Sequence, residues 1–92
     1  MSNISQMGLD REVMNVVEYV SDKAKAWLYH THVLTIEPFT AKGMPYISFD
    51  IYIDGHDEGY IPVKFDEFAN GEDVREKVLS GAIELILDYL YH

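Results

Sequence analysis

Ninety-two residues with sixteen Asp and Glu against seven Lys and Arg carry a formal charge of −9, with 48% hydrophobic and 25% charged residues. That length suits one domain and that composition a folded chain. Such an acidic balance excludes sequence-independent nucleic-acid binding and attachment to an anionic membrane, and the absence of cysteine excludes disulfide scaffolds, thiolate catalysis and thiolate-held zinc.

Residues 1–8 lack the basic and apolar regions of a signal peptide and are expected to be flexible, which leaves residues 9–92 as a single α+β domain. No apolar run approaches the roughly 20 residues that cross a bilayer, and a cytoplasmic location is expected. Leu9, Val13, Val16, Val17, Val20, Ala24, Trp27 and Leu28 recur every three or four residues, so a helix is predicted over 9–28. Its valines lower its intrinsic propensity, and it depends on packing.

The period then falls to two. His32, Leu34 and Ile36 share one face of a strand, opposite Val33, Thr35 and Glu37. A turn at 41–44 leads into the clearest strand, 45–54, where Ile47, Phe49, Ile51 and Ile53 alternate with Tyr46, Ser48, Asp50 and Tyr52. Residues 54–59 read as a polar loop. A third strand follows, with Ile61, Val63 and Phe65 inward and Tyr60, Pro62 and Lys64 outward. Proline cannot donate to a ladder, so this strand is assigned to an edge.

Asn70 is a candidate cap for a second helix, with Glu72 and Asp73 in its first turn. Val74, Val78, Ala82, Leu85, Ile86 and Tyr89 form its buried stripe, which Leu79, Ile83, Leu87 and Leu90 widen. The order is therefore α-β-β-β-α. The expected fold is a two-layer sandwich, a three-stranded antiparallel meander with both helices on the isoleucine-rich face. Tyr46, Ser48, Asp50, Tyr52 and Tyr60 are then exposed on the opposite face.

That order resembles the double-stranded-RNA-binding domains, whose second helix opens on a lysine cluster that grips phosphates. Here the matching stretch carries Glu72, Asp73 and Glu76 against Arg75 and Lys77, which excludes RNA binding by that mode.

Four features remain as candidate sites. Tyr46, Tyr52 and Tyr60 offer a rigid amphipathic face to a partner, or simply stabilise a solvated sheet as cross-strand pairs. Leu79, Ile83, Leu87 and Leu90 suit either a homodimer helix or deeper burial. The run Asp54–Gly59 has glycine at the sixth position of a calcium loop, but His56 and Phe65 occupy ligand positions three and twelve. His30 and His32 share a strand face, yet no third zinc ligand is fixed beside them, His56 and His92 included. No metal or cofactor is expected.

The acidity itself is concentrated. Residues 50–76 hold Asp50, Asp54, Asp57, Glu58, Asp66, Glu67, Glu72, Asp73 and Glu76 against Lys64 and Arg75, a net of −7. No nucleophile elbow, phosphate loop or dinucleotide fingerprint accompanies them, so no enzyme is expected. The expected function is a small acidic protein-binding module, with an inhibitor of phage or antidote type that occupies the basic, nucleic-acid-binding surface of a larger protein as its specific form. The alternative is a structural module that homodimerises through its last helix or a sheet edge. In a meander the acids at 54–58 and 66–76 fall at opposite ends of the sheet, as two patches.

Overall fold

The computed structural model describes the backbone of residues 6–35, 38–70 and 74–91, and the side chains of 10–35, 38–68 and 74–91. In chain order the elements are α1 (Gln6–Trp27), β1 (Thr31–Thr35), β2 (Phe39–Ala41), β3 (Met44–Ile53), β4 (His56–Lys64), α2 (Phe65–Asn70) and α3 (Val74–Leu90). The fold is an antiparallel α+β sandwich whose helices pack on the sheet. The segment 1–8, expected to be flexible, overlaps α1, which starts at Gln6, and residues 1–5 lie outside the described residues.

β3 is the spine of the sheet. Along one edge it pairs with β1 through Thr31↔Ile53, Val33↔Ile51 and Thr35↔Phe49, and with β2 through Phe39↔Tyr46 and Ala41↔Met44. Its other edge pairs with β4 from Tyr46↔Lys64 to Ile53↔His56. The meander is therefore present with four strands in place of three, because its first arm is divided. The register against β3 shifts by one residue between β1 and β2.

Both hairpin turns are two residues long. Lys42 and Gly43 have φ of 53° and 77°, and Asp54 and Gly55 have φ of 52° and 82°. Successive left-handed residues of this kind match the twist of the flanking strands, and Asp-Gly is a favoured pair for the purpose. The polar loop expected over 54–59 is thus confined to Asp54 and Gly55, and His56 to Gly59 belong to β4. A bulge lies beside Tyr52, where pairing passes from Ile51↔Gly59 to Tyr52↔Asp57 and leaves Glu58 as the additional residue.

Val33, Ile47, Phe49, Ile51, Ile53, Ile61 and Val63 line the inner face. Val16, Val20 and Ala24 of α1, and Val74, Val78, Leu79, Ala82 and Ile86 of α3, close over it, with Phe68 of α2 against Phe49. Among these α2 was not legible as a helix, and Asn70 is its last residue rather than the cap of α3; Glu72 and Asp73 lie outside the described residues. Glu67 supports α2 locally by accepting the Lys64 backbone N–H at 3.0 Å, the return half of a capping box. α3 comes closest to the sheet at Gly81, where a Cβ would stand 2.5 Å from Cγ1 of Ile61.

Candidate functional site: the outer sheet face

Side chains that are directly paired across an antiparallel ladder share a face. The outer face therefore consists of His32 and Leu34 on β1, Phe39 on β2, and Tyr46, Ser48, Asp50 and Tyr52 on β3. Asp57, Tyr60, Pro62 and Lys64 supply its β4 side. All three helices bury their apolar residues against the opposite face, and no described helix packs over this one. Leu34 remains 53% exposed and Tyr60 61% exposed, while Tyr46 and Tyr52 are half-buried.

The centre of the face departs from the expected solvated row. Ser48 is 0% exposed and Asp50 is 8% exposed. The register gives the reason: Asp50 stands between Leu34 and Tyr60 across the strands, and between Ser48 and Tyr52 along β3. Ser48 lies beside Pro62 and next to Tyr46 on the same face. Short polar side chains thus form the floor of a shallow cup with larger side chains as its walls. The Phe39 ring stacks on Tyr46 at 5.4 Å and an interplanar angle of 13°, which steadies one wall.

Neither floor residue is satisfied internally. Ser48 Oγ is buried with no hydrogen-bond partner, and Asp50 forms no side-chain hydrogen bond or ion pair among the described residues. Burial, and secondarily the negative charge of Asp57, hold the Asp50 carboxyl above the ordinary carboxylate range. Most buried polar groups in folded chains find a partner, which sets this pair apart from the rest of the outer face.

The remaining acids are dispersed, and several are committed to the fold. Asp54 accepts the Tyr89 hydroxyl at 2.8 Å, which ties α3 to the β3–β4 turn. Asp57 Oδ1 accepts the Gly59 N–H at 3.0 Å. Glu67 also pairs with Lys77 at 2.9 Å. Glu76 accepts the hydroxyl of Tyr19 on α1, a ring over which the Arg75 guanidinium lies at 4.8 Å and the Lys23 ammonium at 5.6 Å. Glu58 is half-buried and bears on Tyr89, whereas Asp66 is exposed at the far end of β4. Nine residues of β4 separate the two ends by about 30 Å, so Asp54, Asp57 and Glu58 at one end and Asp66 and Glu67 at the other do not form one patch.

Leu79 is buried in the core and Ile83 is half-buried against it. Leu87 and Leu90 are 36% and 49% exposed, near the fully displayed Tyr91. His30 is exposed and edge-on to Tyr29 at 5.1 Å. Among the described residues no group of three or more His, Asp and Glu is placed to hold a metal ion, and His92 lies outside them. No described helix is long and apolar enough to cross a membrane.

Sequence alternation grouped Tyr46, Ser48, Asp50, Tyr52 and Tyr60, but left out Leu34 and Phe39. The signal for Leu34 was present in the period-two pattern of its strand; its position beside Asp50 required the register. Comparison with known proteins finds no matching family model, no matching curated protein and no matching solved structure.

Proposed function

We propose that the chain is a non-enzymatic binding module that engages a basic surface of another protein through its outer sheet face. One observation carries this reading: the cup of Tyr46, Tyr52, Tyr60 and Leu34 around the unpartnered Ser48 and Asp50, on the side of the sheet without helices. Aromatic rings supply contact area at low entropic cost, and a desolvated carboxylate gains most from an incoming cation. The net −9 adds long-range attraction to the same class of partner. A small acidic protein of this kind acts by covering the basic surface of a nucleic-acid-binding protein, and so blocks its nucleic acid.

The test is capture of a basic protein at low salt, followed by affinity measurements across salt concentrations. The captured complex weakens steeply with salt, weakens on Asp50→Asn or Tyr60→Ala, and excludes nucleic acid from the partner. Absence of any basic protein, or binding indifferent to both substitutions, overturns the reading.

Exposed Leu87, Leu90 and Tyr91 at the end of α3 favour a second reading, homodimerisation through that end. Light scattering distinguishes it: a dimer dissolved by Leu87→Glu or Leu90→Glu supports self-association, and a monomer at high concentration removes it.

A further inference from the structure

We infer that the floor of the outer-face cup is a subsite for a single arginine side chain of the partner, its guanidinium bridging the Asp50 carboxylate and the Ser48 hydroxyl between the rings of Tyr52 and Tyr60. The inference rests on the proposed use of this face and adds the chemistry that it recognises.

Two independent features specify the occupant. Asp50, seconded by Asp57, calls for a cation, and the fixed charges that face it are few. Lys64 stands at the Tyr46 end of the face and His32 across from Tyr52, so neither is the residue paired with Asp50. Ser48 Oγ is the second feature: a fully buried hydroxyl without a partner, one pleat from Asp50 on the same face. Same-face neighbours along a strand lie about 6.6 Å apart, a gap that a forked planar group bridges and a compact ammonium does not. Guanidinium carries five donors in one plane, is weakly hydrated and stacks on aromatic faces. Lysine satisfies Asp50 and leaves Ser48 as it stands; arginine satisfies both.

The walls fit the same ligand. Tyr60 lies directly across from Asp50, and Tyr52 follows it on the same face of β3, so an inserted side chain has a ring beside it and a ring ahead. Leu34 closes the opposite side, where the aliphatic stem of arginine has apolar surface to lie against.

The experiment is an amide-resolved NMR titration of the full chain with three capped tripeptides, acetyl-Gly-Xaa-Gly-amide, in which Xaa is arginine, lysine or the neutral isostere citrulline. The arginine peptide shifts the amides around Ser48, Asp50, Tyr52 and Tyr60, and binds about tenfold tighter than the lysine peptide, the worth of one additional charge-assisted hydrogen bond. The citrulline peptide does not bind. Ser48→Ala reduces the arginine-over-lysine ratio towards one while the spectrum keeps its folded dispersion, and Asp50→Asn abolishes binding of both cations.

Equal affinity for arginine and lysine overturns the subsite. So do arginine shifts confined to the Asp54 turn or the Asp66 region. A basic protein that still binds through Tyr60 without arginine preference overturns the subsite alone, whereas loss of all cation and basic-protein binding removes the reading beneath it as well.

Discussion

Ser48 and Asp50 should cost the fold stability. An unsatisfied buried polar group is destabilising by about 1–3 kcal/mol, and Ser48 Oγ is fully buried without a partner. Ser48→Ala removes the hydroxyl and leaves a methyl group on the face shared with Pro62 and Tyr46, for a gain of about 1 kcal/mol, or roughly 4–8 °C in Tm for a domain of this size. Asp50→Asn replaces a desolvated charge with a neutral amide that also lacks a partner, and gains a similar amount, about 1 kcal/mol at pH 7. The pH dependence separates this cause from others. A carboxyl whose folded pKa is raised binds more protons in the folded chain than in the unfolded one. Asp50 therefore withdraws stability as the pH rises from its ordinary value of 3.8 through its raised one, and has no effect below both. Urea denaturation of wild type and Asp50→Asn at several pH values should show a gap at pH 7 that narrows towards pH 3. Asp22→Asn on the exposed side of α1 changes the net charge equally and serves as the control. A less stable Asp50→Asn at pH 7, or a gap that Asp22→Asn reproduces, would show that the buried Asp50 charge does not destabilise the fold.

Further outcomes follow from the packing and the pins. Gly81→Ala gains up to about 1 kcal/mol of helix propensity but drives a methyl into Ile61, an overpacking cost of about 1–3 kcal/mol, so it destabilises in the wild-type chain. In an Ile61→Ala background the same substitution should become neutral or stabilising, as a double-mutant cycle by denaturation will read. At Glu67 burial pushes the carboxyl up, but the Lys64 amide and Lys77 outweigh it and the net direction is down. Glu67→Gln should therefore lose a little stability at pH 7, under about 1 kcal/mol for so exposed a pair, and the difference should vanish as the pH falls below 4.5. Hydrogen bonds to Glu76 and Asp54 hold the Tyr19 and Tyr89 hydroxyls above their ordinary value of 10.0. The support they give is present below pH 10 and lost as the pH rises through the raised values, so the alkaline loss of stability should be smaller in a Tyr19→Phe, Tyr89→Phe chain.

Much of this architecture was legible because local chemistry and the global fold agree. Ile47, Phe49, Ile51 and Ile53 alternate without interruption, and that strand is the spine. Asp54-Gly55 has the composition of a tight hairpin turn, yet its polar followers His56, Asp57 and Glu58 disguised the start of β4 as loop. Helix α2 is six residues long, too short for a periodic stripe, with Phe68 buried in the core and Phe65 packed against it. The one-residue register shift between β1 and β2 against β3 is not encoded in composition. The site divides similarly. Alternation placed Tyr46, Ser48, Asp50, Tyr52 and Tyr60 together, but the burial of Ser48 and Asp50 depends on Leu34, Tyr60 and Pro62 standing opposite them in neighbouring strands. Clustering of acids in sequence was the weaker guide, since Asp54, Glu67 and Glu76 are engaged in holding helices to one another or to the sheet.

The proposed function places a basic partner on the outer sheet face. Its most direct test is the affinity of one such partner, captured at low salt, for the wild type, Tyr60→Ala and Leu87→Glu. Loss of a central aromatic contact should weaken binding about tenfold or more in Tyr60→Ala, while Leu87→Glu, on the far side of the molecule, binds as the wild type does. The reverse pattern, with Tyr60→Ala unaffected and Leu87→Glu impaired, would take the partner off the outer face and move it to the end of α3.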